Sequence, residues 1–181
     1  MYLVLILVTV FCFIVQLPEA QLAIQWDAQA ISNGQWWRIL TGNFTHTNIW
    51  HLLMNTAGLW VICYLFTPTR KTLLFLLIIV STCVGLALIF SDIQIYLGLS
   101  GTLHGLFAYL ALSEALNHRK SSWLLVFGVI VKIAWEQAYG APDTTSSMIA
   151  ARVAIEAHLA GGIIGIAAAL LVWLPNKLQQ R

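Results

Sequence analysis

The chain has 181 residues, 60% of them hydrophobic and 9% charged, with a formal net charge of +2. Soluble domains carry about 25% charged residues, and a chain of this size has no interior large enough for so much apolar surface, so the bilayer is the expected solvent. The few basic residues are scattered and form no stripe, which argues against nucleic acid as a partner.

Six apolar segments follow one another, at about 1–17, 49–66, 72–90, 100–117, 122–140 and 148–174. Each suits a helix crossing a hydrocarbon core of roughly 30 Å. The predicted fold class is therefore all-α: a polytopic membrane protein of six transmembrane helices, in one domain over 1–181. Met1–Val15 has the look of a signal-peptide core, but it lacks a basic flank and further spans follow, so it reads as the first transmembrane helix. It is short for a span, so either its start lies upstream or the helix runs on toward Pro18. Residues 18–48 form the one long connection, a polar, partly helical cap that Trp26, Trp36 and Trp37 are expected to hold at the interface. Cys12, Cys63 and Cys83 lie inside apolar runs without metal-ligand spacing and read as small buried hydrophobes.

Basic residues orient the bundle. Arg70, Lys71, Arg119, Lys120, Lys177 and Arg181 share one side if the helices alternate, while Arg38 and Arg152 stand opposite with Glu19, Asp27, Asp92 and Asp143. The positive-inside rule then puts both termini in the cytoplasm and the 18–48, 91–97 and 141–147 loops outside. The expected location is a bacterial inner membrane, with the site opening to the periplasm. Ser100, about 14 residues or roughly 21 Å above the inner interface, lies roughly 9 Å below the outer edge. Water reaches such depth only through a cavity.

Chemistry concentrates in that outer half. Gly98-Leu99-Ser100-Gly101 turns a polar loop into the fourth apolar segment, so Ser100 stands where helix N–H groups are unpaired and the dipole is positive. The glycines permit a tight turn and close packing. Alone, the element serves equally as a Ser N-cap beside a Gly101/Gly105 packing pair. His158, counted about ten residues into the sixth segment from Met148, is an ionisable group at depth. Gly161 and Gly165 beside it would let another helix approach, and the fourth is the expected one. Ser100 as nucleophile and His158 as base then form a pair. His51 and Asn55, one turn apart on the second helix, are donors suited to an oxyanion, and equally to interhelical hydrogen bonding. His104, on the serine's face, is a supporting residue that stacks on His158. His46 and His118 read as interfacial. Lys132 and Glu136, one turn apart on the fifth helix, read as an ion pair facing the bundle, with a substrate-facing pair as the sharper alternative; Arg152 and Glu156 read likewise.

Trp37-Arg38, His51-x-x-x-Asn55, Gly98-x-Ser100-Gly101 and Ala157-His158-x-x-Gly161 occur in the order found in rhomboid proteases, and the chain resembles that family over essentially all six spans. The resemblance implies a rhomboid-like bundle and a Ser100–His158 dyad with no acidic third member. It implies oxyanion help from His51, Asn55 and the Ser100 N–H, substrate entry near the second and fifth helices, a structural Trp37-Arg38 loop, and no metal or cofactor. Many rhomboids carry tyrosine where His104 stands here. Gly-Leu-Ser-Gly-x-x-His-Gly and the minimal layout look like the rhombosortase branch. That likeness implies a transmembrane protein partner with a C-terminal sorting tail of Gly-Gly, an apolar helix and a basic end, cleaved near the Gly-Gly with release to water or transfer to a membrane amine. Two other readings stand beside it: a catalytically silent rhomboid-like binder of membrane segments, and a metal or proton carrier using His46, His51, His104 and His158.

Overall fold

A computed structural model describes residues 1–117 and 119–178, so the readings for His118 and Arg181 lie outside the described residues. The chain is helical almost throughout. In order it forms α1 (Tyr2–Ile14), α2 (Pro18–Ile24), β1 (Trp26–Asp27), α3 (Ala28–Ser32), α4 (Arg38–Thr41), α5 (Ile49–Phe66), α6 (Arg70–Ala87), β2 (Ile95–Tyr96), α7 (Ser100–Leu116), α8 (Ser122–Tyr139), α9 (Asp143–Ile149) and α10 (Ile155–Leu178).

Local chemistry sets the boundaries. Asn48 and Thr69 accept the His51 and Thr72 backbone N–H groups and so cap α5 and α6. Thr67 (φ 42°) and Ala150 (φ 52°) enter the left-handed region and stop α5 and α9. Among the described residues, three helical stretches are long and apolar enough to cross a membrane: α5, α6 with its 3-10 extension to Phe90, and Ile155–Pro175 of α10. The number rises to five if α1 with α2, bent by 106°, and α8 with α9, bent by 88°, each form one span. The expected six is not reached on that measure. The helix left out is α7, with 17 residues and a length of roughly 26 Å. It is the innermost one, packed against α5, α6, α8 and above all α10.

Two predicted spans are corrected. The first helix ends at Ile14, and Pro18, which has no N–H to continue it, opens α2 in a new direction. The 148–174 segment is broken, with Met148 and Ile149 closing α9 before α10 begins at Ile155. His158 therefore lies in the first turn of α10, not ten residues in.

The 18–48 cap is held by more than interfacial tryptophans. β1 and β2 pair antiparallel, Trp26 opposite Tyr96 and Asp27 opposite Ile95, and tie the cap to the loop before Ser100. Trp26 is buried, and its Nε1–H donates to the Gly85 carbonyl at 2.9 Å, so its interfacial placement is wrong: the ring fills the gap between cap and α6. Trp36 and Trp37 are exposed, as expected. Arg38 is buried and donates to the Gln25 carbonyl at 2.8 Å and to Gln35 Oε1 at 2.7 Å, which makes the Trp37-Arg38 element a brace within the cap.

Candidate active site

The strand β2 runs into a turn at Gly98, whose φ of +132° only glycine adopts without strain. A Cβ there would also stand 2.7 Å from Cε1 and Nε2 of His51. Tyr96, buried beside it, donates its hydroxyl to the Gly98 carbonyl at 2.6 Å and pins the turn. Burial holds that phenol above the usual tyrosine range. The turn delivers Ser100 to the start of α7.

The seam between α7 and α10 is built from glycine. A methyl on Gly101 would press on the Ala157 carbonyl oxygen at 2.8 Å, and one on Gly161 would collide with the Gly101 carbonyl. With neither present, the two backbones touch, as the Gly161 and Gly165 spacing predicted. That contact brings Ser100 Oγ to 2.9 Å from His158 Nε2.

The group does not end at two residues. His158 Nδ1 lies 2.8 Å from Oε2 of Glu136, buried on α8. The resemblance implies a pair without an acidic third member; here a carboxylate lies within hydrogen-bond reach of the histidine. Lys132 Nζ lies 2.8 Å from the same Glu136 oxygen, so the expected ion pair is formed, and it turns inward. The Lys132 amine is also 2.6 Å from His104 Nε2. His104 stacks on His158 with ring centroids 4.1 Å apart and planes 20° apart, the position anticipated for it. Its Nδ1 lies 2.7 Å from the Ser100 carbonyl oxygen.

These contacts fix the tautomers. A carbonyl oxygen only accepts, so His104 Nδ1 carries the proton and Nε2 accepts from the Lys132 ammonium. A carboxylate likewise only accepts, so His158 Nδ1–H donates to Glu136 and its Nε2 is free to accept from the Ser100 hydroxyl. His104, Glu136 and His158 each offer one ligand atom, all within 4.8 Å of one another, the spacing of a cation site. The Lys132 ammonium already stands within 3.5 Å of an atom of each.

His51 lines a cavity of about 80 Å³ with Ser100, Thr47, Tyr96, Leu97 and Ile149. Its Nδ1 lies 3.1 Å from Thr47 Oγ1, and its Nε2 edge faces Gly98. Asn55 is buried one turn below and donates to the His51 carbonyl at 3.0 Å, within its own helix. His46 is not interfacial. It is fully buried, edge-on to His51 at 5.1 Å, and among the described residues neither ring nitrogen has a partner in good hydrogen-bond geometry. Burial first, and then the neighbouring His51, push it down to about 3. Arg152 and Glu156 form an ion pair nearer the surface. A buried network of Asn43, Ser81 and Thr102 anchors α7 to the cap and α6, with Ser81 Oγ 2.8 Å from Thr102 Oγ1 and Thr102 donating to Asn43 at 3.1 Å.

Sequence reasoning missed Glu136 as a partner of His158, and it missed Tyr96. Glu136 did give a signal, as a carboxylate at depth, but its i,i+4 lysine offered a sufficient explanation.

A comparison with curated proteins returns no match. The family model described as Rhomboid domain matches residues 33–175, which takes in the second half of the cap and every helix that carries Ser100, His158, His51 and Glu136. The chain is thus a member of the rhomboid family, a family of intramembrane serine proteases that also includes inactive members.

Proposed function

We propose that this chain is an active intramembrane serine protease, with Ser100 as nucleophile and His158 as general base. The observation that carries the reading is the 2.9 Å contact between Ser100 Oγ and His158 Nε2. Both groups are present here and within hydrogen-bond reach of each other. Ser100 Oγ attacks the scissile carbonyl carbon while its proton passes to His158 Nε2. The carbonyl electrons move to oxygen, and the oxyanion is met by the Ser100 backbone N–H at the start of α7, with His51 and Asn55 as further donors. Collapse expels the amine, which takes the proton from His158 and leaves an acyl-enzyme. Water or an amine then resolves it.

The substrate class is a C-terminal tail of Gly-Gly, an apolar helix and a basic end on an exported protein, as in the rhombosortase branch. Two features support it. The cavity at Ser100, about 80 Å³, has room for residues with little or no side chain. An apolar groove of about 310 Å³ between α5 and α8, lined by Ile62, His104, Phe107, Gly128, Val129 and Lys132, offers a helix a path toward the site. In this reading the six helices span a bacterial inner membrane, both termini face the cytoplasm, and the cavity opens to the periplasm.

The test is co-expression of the chain with a tail-bearing substrate and mass measurement of its new C-terminus. The expected product ends near the Gly-Gly, as a free acid if water resolves the acyl-enzyme or with the mass of an added amine if transfer does. Ser100→Ala abolishes it. Undiminished processing by that variant would exclude the mechanism.

A further inference from the structure

We infer that Glu136 completes a three-membered group with His158 and Ser100, as a positioning residue, and that Lys132 locks that group together. The inference rests on the protease reading above. It departs from the pair of groups that the family resemblance implies.

The geometry is that of an orienting carboxylate. Glu136 Oε2 lies 2.8 Å from Nδ1 of His158, while the opposite ring nitrogen meets Ser100 Oγ at 2.9 Å. Serine, imidazole and carboxylate thus form one line of hydrogen bonds across α7, α10 and α8. A carboxylate so placed holds the ring in the tautomer whose Nε2 can accept, and stabilises the imidazolium that forms on attack without itself taking the proton.

A simple surface ion pair does not account for the arrangement. The Glu136 side chain is 7% exposed, whereas that of Lys132 is 46% exposed. The acid is the buried member, and the lysine reaches inward to it. A buried carboxylate needs a counter-charge and filled lone pairs. Lys132 supplies the charge, His158 supplies a second donor, and both address the same oxygen. The lysine has a second task. By donating to His104 Nε2 it leaves that ring's one N–H proton on Nδ1, which ties the ring to the Ser100 carbonyl and sets it flat on His158. His158 is thereby held at its edge by Glu136 and on its face by His104, and one ammonium bridges both restraints.

The experiment measures kcat and KM for tail cleavage in proteoliposomes, together with the rate at which a fluorophosphonate probe labels Ser100. The probe reads serine nucleophilicity without tail binding. Glu136→Gln keeps the shape but can present an N–H to Nδ1, which places the wrong tautomer before Ser100. The expected loss is about 10³- to 10⁴-fold in kcat, with KM nearly unchanged and labelling slowed in parallel. Glu136→Asp, which keeps the charge, recovers a substantial part of kcat. Lys132→Met loses less kcat than Glu136→Gln. If Glu136→Gln does not fold, Glu136→Asp and Lys132→Met carry the test: lowered kcat and labelling with intact KM support the proposal, and a change confined to KM overturns it. If Ser100→Ala is dead while Glu136→Gln retains wild-type kcat and labelling, Glu136 is only structural and the proposal falls alone. Cleavage by Ser100→Ala overturns both readings.

Discussion

The glycine seam between α7 and α10 sets the distance between Ser100 Oγ and His158 Nε2, and Gly101→Ala tests it. The added methyl would stand 2.8 Å from the Ala157 carbonyl oxygen and 3.1 Å from Ala157 Cβ and Val84 Cγ1. Ordinary contact begins near 3.4 Å, so α10 must retreat by about 0.6 Å at the residue preceding His158. Taken along the line from Ser100 Oγ to His158 Nε2, this lengthens the 2.9 Å contact to about 3.5 Å, where the hydrogen bond is lost. A misplacement of this order costs about 10- to 100-fold in rate. Overpacking costs ~1–3 kcal/mol, partly offset by the ~0.5–1 kcal/mol that alanine gains over glycine in a helix. The variant therefore stays folded while kcat falls and KM holds. Single-turnover cleavage in proteoliposomes, paired with thermal unfolding, reads the two effects separately. Wild-type cleavage by a folded Gly101→Ala would show that the seam does not control the Ser100–His158 distance.

Two further outcomes follow from the cap. His46 has a folded-state pKa lowered from 6.5 to about 3, so between those values the unfolded chain binds the proton and the folded chain does not. Its neutral burial is fully tolerated above about pH 6.5, and the fold loses stability as the pH falls toward 3. The melting temperature in detergent should drop between pH 7.5 and pH 5, and by less in His46→Phe; equal drops would remove His46 as the cause. Trp26→Phe deletes the buried donor to the Gly85 carbonyl, 2.9 Å away, and should destabilise the cap by ~1–3 kcal/mol. Limited proteolysis within 18–48 should accelerate in that variant, and an unchanged cleavage rate would contradict the bracing role.

The apolar helices, the family, and the residues Ser100, His158 and His51 that the fold gathers together were legible because each is written in local sequence. Apolar runs report burial in lipid, Gly98-x-Ser100-Gly101 needs a turn that only glycine makes, and Gly161 with Gly165 marks a close helix contact. The breaks at Val15–Leu17 and Ala150–Ala154 were not legible. The first is set by a proline that also suits a helix start, and the second by an alanine in a left-handed conformation that no composition announces. The two-residue ladder between β1 and β2 is too short to carry a period. His46 and Trp26 looked interfacial because amphipathic rings in a polar loop usually are. The cap folds back on α6 and buries Trp26 there, and it buries His46 against His51 of α5.

What the sequence by itself determined is the set of chemical groups, their helices and their order along the chain. Helical periodicity assigns each residue to a face of its own helix, and i,i+4 spacing pairs Lys132 with Glu136. The tertiary structure alone decided that Glu136 meets a histidine 22 residues away, and that one lysine bridges Glu136 and His104. The reason is geometric. How α8 is rotated against α7 and α10 is a property of packing between helices, and one helix's sequence does not encode the angle at which its neighbour faces it.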